Sequence, residues 1–127
     1  MLKPRLESRS VKTEGYLFGL KAEQLVADYL TQRGFNILHN RWKNPYGEID
    51  LIAARADLLI FVEVKARKVF FESEVVSPRQ QKRSVEAALY FLSQNEIFAN
   101  HNIRFDCVLI SRTWQLRYIE NAWNAEL

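Results

Sequence analysis

Residues 47 to 65 read GEIDLIAARADLLIFVEVK, two apolar runs joined by a short polar stretch. Each run has the length and composition of a strand, and Arg55-Ala56-Asp57 between them fits a hairpin connection. The second run is apolar on both faces, which is typical of a strand in the middle of a covered sheet. Asp50, Glu63 and Lys65 nevertheless lie inside or at the ends of these runs. A buried charge is costly unless it is paired, solvated or bound to a metal ion, so this segment is a candidate functional site.

The pattern outside this segment predicts one α/β domain with the element order αβββαββ. Apolar residues at helical spacing predict a first helix from about Tyr16 to Arg33, and Ser77-Pro78 predicts the start of a second helix that runs to about Gln94. Strands are predicted at about 35–42, 48–54, 58–66, 104–111 and 114–119, with a terminal turn at about 121–125. Residues 1–14 are polar and aperiodic, so we expect a flexible arm followed by a domain that spans 15–127.

Composition excludes several classes of protein. The chain has 127 residues, of which 48% are hydrophobic, as in an ordinary globular domain. No apolar stretch approaches the roughly 20 residues needed to cross a bilayer, and the first residues have no secretory signal pattern. Cys107 is the one cysteine and cannot form an internal disulfide, which suits a reducing compartment. We therefore expect a cytoplasmic protein without a membrane segment.

Positive charge is concentrated directly after the candidate site. The net charge of the chain is +3, but residues 65–83 alone contain six cations and two anions. Such a cluster is either a solvated loop and helix face or a surface that contacts nucleic-acid phosphates. Its position beside the candidate site adds weight to the second interpretation. The residues predicted to contact nucleic acid are Arg67, Lys68, Gln81, Lys82 and Arg83.

The three charged residues can be combined in one site. Side chains alternate along a strand, so Glu63 and Lys65 share a face, and a hairpin would place Asp50 about 5 Å from Glu63 between Cβ atoms. Two carboxylates this close repel unless one is protonated or a cation lies between them, and Mg²⁺ or Mn²⁺ suits such oxygen ligands. Lys65 would then orient a water molecule or stabilise transition-state charge. The alternative is that Glu63 and Lys65 are solvated at the sheet edge while Asp50 caps a turn.

Short motifs occur along the chain before, within and after this site. They are Gly19-x-x-x-Glu23, Tyr29-Leu30-x-x-x-Gly34-Phe35-x-Ile37-Leu38-x-Asn40, Gly47-Glu48-Ile49-Asp50-Leu51-Ile52, Phe61-Val62-Glu63-Val64-Lys65-x-Arg67, Arg104-Phe105-Asp106 and Asn121-Ala122-Trp123. In this order the motifs resemble the YraN-like family of uncharacterised bacterial proteins. That family is similar to archaeal Holliday-junction resolvases and to restriction-endonuclease-like nucleases with a PD-(D/E)xK core.

The resemblance implies a restriction-endonuclease-like core, a divalent metal ion and cleavage of a phosphodiester in DNA. It implies that Asp50, Glu63 and Lys65 are the core motif and that Glu23 is the acidic residue of the first helix, close to the metal. It further implies that the backbone carbonyl of Val64 is a metal ligand. Taken from the residues alone, Glu23 fits an exposed helix glutamate as well.

The chain departs from the family pattern at two places. Gln80 stands where relatives usually have a lysine, and Val69-Phe70-Phe71-Glu72 stands in a loop where they usually have a glycine. A glutamine can orient water or contact a phosphate but supplies no charge. Nearby, Trp42 and Tyr46 either stack on bases or pack against a helix.

The first hypothesis from the sequence is a magnesium-dependent DNA endonuclease that acts on branched or otherwise structured DNA. A homodimer would make the two symmetric cuts that a junction requires. The second hypothesis is a catalytically silent nucleic-acid-binding module of a DNA-processing assembly, which the substitution at Gln80 motivates. The third is a small interaction protein with no nucleic-acid role.

Overall fold

The computed structural model describes residues 3–67 and 76–124, and within them the side chains of residues 14–66 and 76–124. The elements in order are helix α1 (Lys3–Gln32), strands β1 (Asn36–Asn44), β2 (Gly47–Arg55) and β3 (Leu58–Arg67), helix α2 (Pro78–Gln94), a 3-10 turn (Glu96–Phe98), and strands β4 (Asn102–Ser111) and β5 (Leu116–Trp123). In this part of the chain the strands form one sheet with the order β1-β2-β3-β4-β5. Strands β3 and β4 are parallel, and the other neighbours are antiparallel. The predicted α/β fold, with a mixed five-stranded sheet and the order αβββαββ, is confirmed.

Two predicted boundaries were wrong. Helix α1 begins at Lys3 and not near Tyr16, so it includes most of the segment that we expected to be an arm. The early part of the helix is rich in charged residues and has no apolar stripe, so hydrophobic periodicity could not indicate it. Strand β5 continues to Trp123, where a turn was expected. Asn121 has a positive φ of 51°, a conformation that is more typical of turns than of strands. Strand β5 nevertheless continues through this residue.

The two helices cover opposite faces of the sheet. Helix α1 packs on the face that includes Leu51, Ile60 and Val62, and helix α2 packs on the face that includes Ile52 and Phe61. Strand β3 is therefore buried on both faces, as its apolar sequence predicted. Burying each large side chain of this kind contributes about 1.5–3 kcal/mol relative to leaving it exposed, which fixes the register of the central strands.

The start of helix α2 is fixed by a local capping interaction. Ser77 has extended backbone angles, and its side chain accepts a hydrogen bond from the backbone N–H of Gln80 at 3.2 Å. Pro78 occupies the first turn, where its missing N–H costs nothing. The predicted cap is therefore confirmed. Because the helix starts here, its first turns face the end of strand β3.

The motif Arg104-Phe105-Asp106 has a structural role in strand β4. The Asp106 carboxylate is fully buried and accepts hydrogen bonds from Arg104 at 2.8 and 2.9 Å, from the Tyr118 hydroxyl and from the backbone N–H of Asn121 at 2.9 Å. The β4–β5 register shifts between Phe105 and Cys107, so these bonds hold the strands together across an irregularity. Arg104 and Asp106 therefore form an ion pair on one face of strand β4. No helix in the described residues combines the length and the hydrophobicity needed to cross a bilayer.

Candidate functional site

Asp50 and Glu63 meet where strands β2 and β3 separate. The β2–β3 pairing runs from Arg55 and Leu58 to Leu51 and Val62, and the same register places Asp50 opposite Glu63. Each carboxyl group changes the pKa of the other. Asp50 Oδ2 also accepts a hydrogen bond from the backbone N–H of Val64 at 2.8 Å. The Asp50 side chain thus accepts a bond from strand β3 just beyond the last backbone pair, Leu51 and Val62. The predicted approach of Asp50 and Glu63 therefore occurs, and the Asp50 side chain also links the two strands.

Burial of this pair favours its protonated form. Burial, followed by repulsion from Asp50, raises the pKa of Glu63 to about 8. Burial also raises the pKa of Asp50, while the hydrogen bond from the Val64 amide opposes that change. With a pKa near 8, Glu63 holds a proton at neutral pH. A divalent cation can replace such a proton, because it neutralises the same two carboxylates.

Lys65 lies on the same face and is oriented by helix α2. Its Nζ donates a hydrogen bond to Gln80 Oε1 at 3.1 Å. The positive charge of Lys65 lowers the pKa of both Asp50 and Glu63. The sequence had suggested that Gln80 removes a charge from this helix. In the structure Gln80 is a hydrogen-bond acceptor for the lysine.

Glu23 approaches the site from helix α1 but has a partner of its own. Arg41 of strand β1 donates hydrogen bonds from Nε and Nη2 to the two Glu23 carboxylate oxygens at 2.8 and 3.0 Å. The Glu23 side chain is 16% exposed, so it is not a freely solvated helix glutamate. Its charge reaches the site, since it raises the pKa of Asp50 by repulsion. The partly buried bond to Glu23 raises the pKa of Arg41 in turn.

Arg41 is the site residue that sequence reasoning missed. It adopts a positive φ of 50° inside strand β1, where nothing in the alternation of apolar residues marks it. With Glu23 paired in this way, the carboxylates around Asp50 do not form a three-acid cluster. In residues 14–66 and 76–124, no three His, Cys, Asp or Glu side chains are close enough to hold a metal ion together.

A small cavity opens beside Glu63, between the β1–β2 turn and helix α2. It has a volume of ≈ 70 Å³ and is lined by Tyr46, Gly47, Glu48, Ile49, Glu63, Gln80, Arg83, Ser84 and Ala87. The charge of Arg83 lowers the pKa of Glu63, so this predicted nucleic-acid contact does face the site.

The other predicted nucleic-acid contacts have different positions. Gln81 donates from Nε2 to the backbone oxygen of Val76 at 2.8 Å and therefore braces the loop before helix α2. Lys82 is exposed on that helix. Lys68, the side chain of Arg67 and the loop residues Val69 to Glu72 lie outside the described residues.

The family model and the sequence relatives that match this chain belong to the same family. The family model described as Uncharacterised protein family UPF0102 matches residues 22–110, a range that contains Glu23, Asp50, Glu63 and Lys65. A UPF0102 protein of Rhodopseudomonas palustris strain BisB18 is 44% identical over 108 residues, which cover 84% of this chain and 80% of the relative. Another, from strain ATCC BAA-98 / CGA009, is 45% identical and covers 84% and 83%. One from Bradyrhizobium sp. strain BTAi1 is 36% identical over 124 residues and covers 97% and 91%.

The chain is also similar to a solved structure, that of Pyrococcus furiosus SfsA in complex with Ca²⁺. The match covers 84% of this chain and 63% of that chain, at 16% identity and a TM-score of 0.37. A likeness this distant carries no weight for function. The family match and the sequence relatives agree with the motifs read from the sequence, and the chain belongs to uncharacterised protein family UPF0102, the YraN family.

Proposed function

We propose that this protein is a Mg²⁺- or Mn²⁺-dependent endonuclease that cleaves a phosphodiester in branched or otherwise structured DNA. The observation that carries the proposal is the half-buried Asp50–Glu63 pair with Lys65 on the same face. Two carboxylates held together in a half-buried position are costly for stability alone, and such groups concentrate at functional sites. The basic residues that follow in the chain suit a substrate with phosphate groups.

The residues present fit a hard divalent cation. Asp50 and Glu63 supply carboxylate oxygens, the ligands that Mg²⁺ prefers. The Val64 N–H faces Asp50, and because the N–H and C=O of one strand residue point to the same side, we expect the Val64 carbonyl to face the same space. A bound ion of this kind would polarise the scissile phosphate and lower the pKa of a water molecule. Two carboxylates and one carbonyl leave positions for water, which Mg²⁺ commonly retains.

The other site residues act on the substrate through charge and orientation. Lys65, held by Gln80, presents an ammonium group that orients the attacking water and stabilises the added negative charge on the phosphate. Arg83 lies on the wall of the cavity and would contact a neighbouring phosphate. Glu23 would bind through the water shell of the ion, once its bidentate bond to Arg41 opens.

One observation favours a second candidate, a nucleic-acid-binding module without turnover. Glu23 is already bound by Arg41, and Lys65 is bound by Gln80, so both groups have protein partners in place of substrate. Under this alternative the protein binds DNA, with affinity that falls steeply as salt rises, and leaves it intact.

The test is a cleavage assay with matched variants. Labelled four-way junction, flap and blunt duplex DNA are incubated with the protein in Mg²⁺, Mn²⁺ or EDTA. Asp50→Asn and Lys65→Ala should each reduce the rate by about a hundredfold or more, since each removes a group that acts in the transition state. Asp28→Asn and Lys21→Ala change the same residue types at exposed positions of helix α1 and should leave the rate unchanged.

Cleavage that persists in Asp50→Asn or Lys65→Ala would contradict the proposal. DNA that is bound but never cut in either metal would favour the binding module. A dimeric endonuclease would in addition show, by light scattering, twice the mass of the 15.0 kDa chain.

A further inference from the structure

An aromatic groove lies between the end of strand β1 and the last turns of helix α2. It has a volume of ≈ 350 Å³ and is lined by His39, Trp42, Lys43, Asn44, Pro45, Tyr90, Gln94 and Asn95. Pockets that bind small ligands have volumes of about 300–1,000 Å³. The groove is therefore large enough for one flat ring system, and we call it the Trp42 groove.

The rings at the Trp42 groove form a continuous series. Trp42 and Tyr90 have ring centroids 6.1 Å apart at an interplanar angle of 32°, and the His39 ring lies 6.1 Å from that of Trp42. Tyr46, which lines the cavity beside Glu63 and not the groove, continues the series, since its ring is 6.2 Å from that of Tyr90, and its side chain is 42% exposed. Trp42 packs edge-to-face against the core residue Phe91, yet it also lines the groove. Packing against helix α2 and contact with a ligand are therefore compatible for Trp42.

The polar groups of the groove are not fully used by the protein. Asn44 Oδ1 accepts a hydrogen bond from the backbone N–H of Tyr46 at 2.9 Å, which turns the chain toward the acidic pair. Asn44 Nδ2 is shielded from solvent and has no hydrogen-bond partner in the described part of the chain. Lys43, also on the wall, is exposed and cationic.

The groove and the cavity beside Glu63 share no lining residue and are separated by a single turn of the chain. Asn44 and Pro45 line the groove, and the next two residues, Tyr46 and Gly47, line the cavity beside Glu63. Tyr46 links the two, since it lines the cavity and its ring lies 6.2 Å from that of Tyr90 in the groove. Flat faces for stacking and a nearby cation together match an unpaired nucleotide.

We propose that the Trp42 groove binds an unpaired nucleobase adjacent to the phosphate that the acidic pair engages. This inference rests on the proposed function and specifies its substrate class, a nucleic acid with at least one unpaired nucleotide at the junction of its strands. A continuous duplex keeps its bases stacked and paired, so it cannot fill the groove. Recognition comes from the base and not from the sugar. DNA and RNA strands are therefore tested separately.

The test measures binding without cleavage, so that it is independent of hydrolysis. Fluorescence anisotropy in EDTA compares a duplex that has a single-stranded extension with a blunt duplex of equal phosphate number. A third probe has the same extension with abasic residues in place of its bases. The intact extension should bind about 5- to 150-fold more tightly than either of the others, the range expected for stacking of one base.

Protein variants locate the effect. Tyr46→Ala and Tyr90→Ala should each lower affinity for the intact extension and leave affinity for the abasic extension unchanged, while Tyr46→Phe and Tyr90→Phe should bind as wild type does. Trp114→Ala removes an exposed aromatic residue that contacts Phe18 on the helix α1 side and should have no effect. Because Tyr46 is exposed, its replacement does not depend on a change in the core.

The two proposals can fail separately. Equal binding of intact and abasic extensions, or an equal loss of affinity for both in the tyrosine variants, would overturn the groove even if the protein cuts DNA. Base-dependent binding by a protein that never cuts in Mg²⁺ or Mn²⁺ would support the groove and overturn hydrolysis.

Discussion

Replacing Glu63 by glutamine should remove a pH dependence of stability that originates in the acidic pair. The pKa of Glu63 is raised from 4.5 to about 8 in the folded protein, so between these values the folded state holds a proton that the unfolded chain has lost. Stability of the metal-free protein should then fall as pH rises, by about 1.4 kcal/mol per pH unit, because the folded state binds more protons. The contribution of Glu63 to the free energy of unfolding is fully present below pH 4.5. It is lost as the pH rises through about 8.

The magnitude follows from the two pKa values. A pKa that moves from 4.5 to about 8 corresponds to at most about 5 kcal/mol between the two ends of this range. In Glu63→Gln the amide imitates the protonated acid and can still donate a hydrogen bond to Asp50. At pH 5 the variant should match wild type, and at pH 8 it should be more stable by several kcal/mol.

The assay is urea unfolding in EDTA at pH 5, 6, 7 and 8, followed by tryptophan fluorescence. Glu96→Gln, at an exposed position in the 3-10 turn, is the control and should keep the wild-type slope. A second series with Mg²⁺ should restore wild-type stability most strongly at pH 8, because the proposed ion would bind the deprotonated pair. Wild-type stability that is constant from pH 5 to 8, or a slope that is undiminished in Glu63→Gln, would refute this account of the site.

Three further changes test the supports of the site by the same unfolding assay at pH 7. Arg41→Ala should cost about 1–3 kcal/mol, since it leaves the partly buried Glu23 carboxylate without its bidentate partner. Asp106→Asn should cost about 3 kcal/mol, because it leaves Arg104 without its buried counter-charge, while cleavage by the folded fraction should be unchanged. Ser77→Ala should cost about 1 kcal/mol through loss of the helix α2 cap.

Each of these has its own control or contrary result. Glu23→Gln combined with Arg41→Ala should recover part of the loss, and no recovery would mean that Arg41 acts through packing. A cut rate that falls with Asp106→Asn in the fully folded protein would give that residue a part in the reaction. Ser77→Asp keeps an N-cap acceptor and should be close to wild type in stability.

Sequence reasoning recovered the parts of the molecule that local chemistry determines. The apolar faces of strand β3 and the Ser77-Pro78 cap each predicted their structure, because burial and capping act over a few residues. The opposition of Asp50 and Glu63 followed from a short hairpin whose turn fixes the register.

The parts that sequence reasoning missed depend on contacts distant in the chain. Glu23 and Arg41 belong to different elements, and no spacing rule predicts that their side chains meet. Arg41 in addition has a backbone conformation that alternation cannot indicate. The bond from Lys65 to Gln80 crosses from strand β3 to helix α2, so the substitution at that position could be interpreted correctly once the fold was known.

The bond between Asp50 Oδ2 and the Val64 amide has a consequence for how this family can evolve. The aspartate closes the sheet at a point where backbone pairing has stopped, so its loss would loosen the fold as well as any chemistry. A member of the family without the proposed hydrolysis would therefore still be selected to retain this acid. In such proteins, persistence of Asp50 would report on architecture, and the fate of Lys65 would be the better record of whether the proposed reaction takes place.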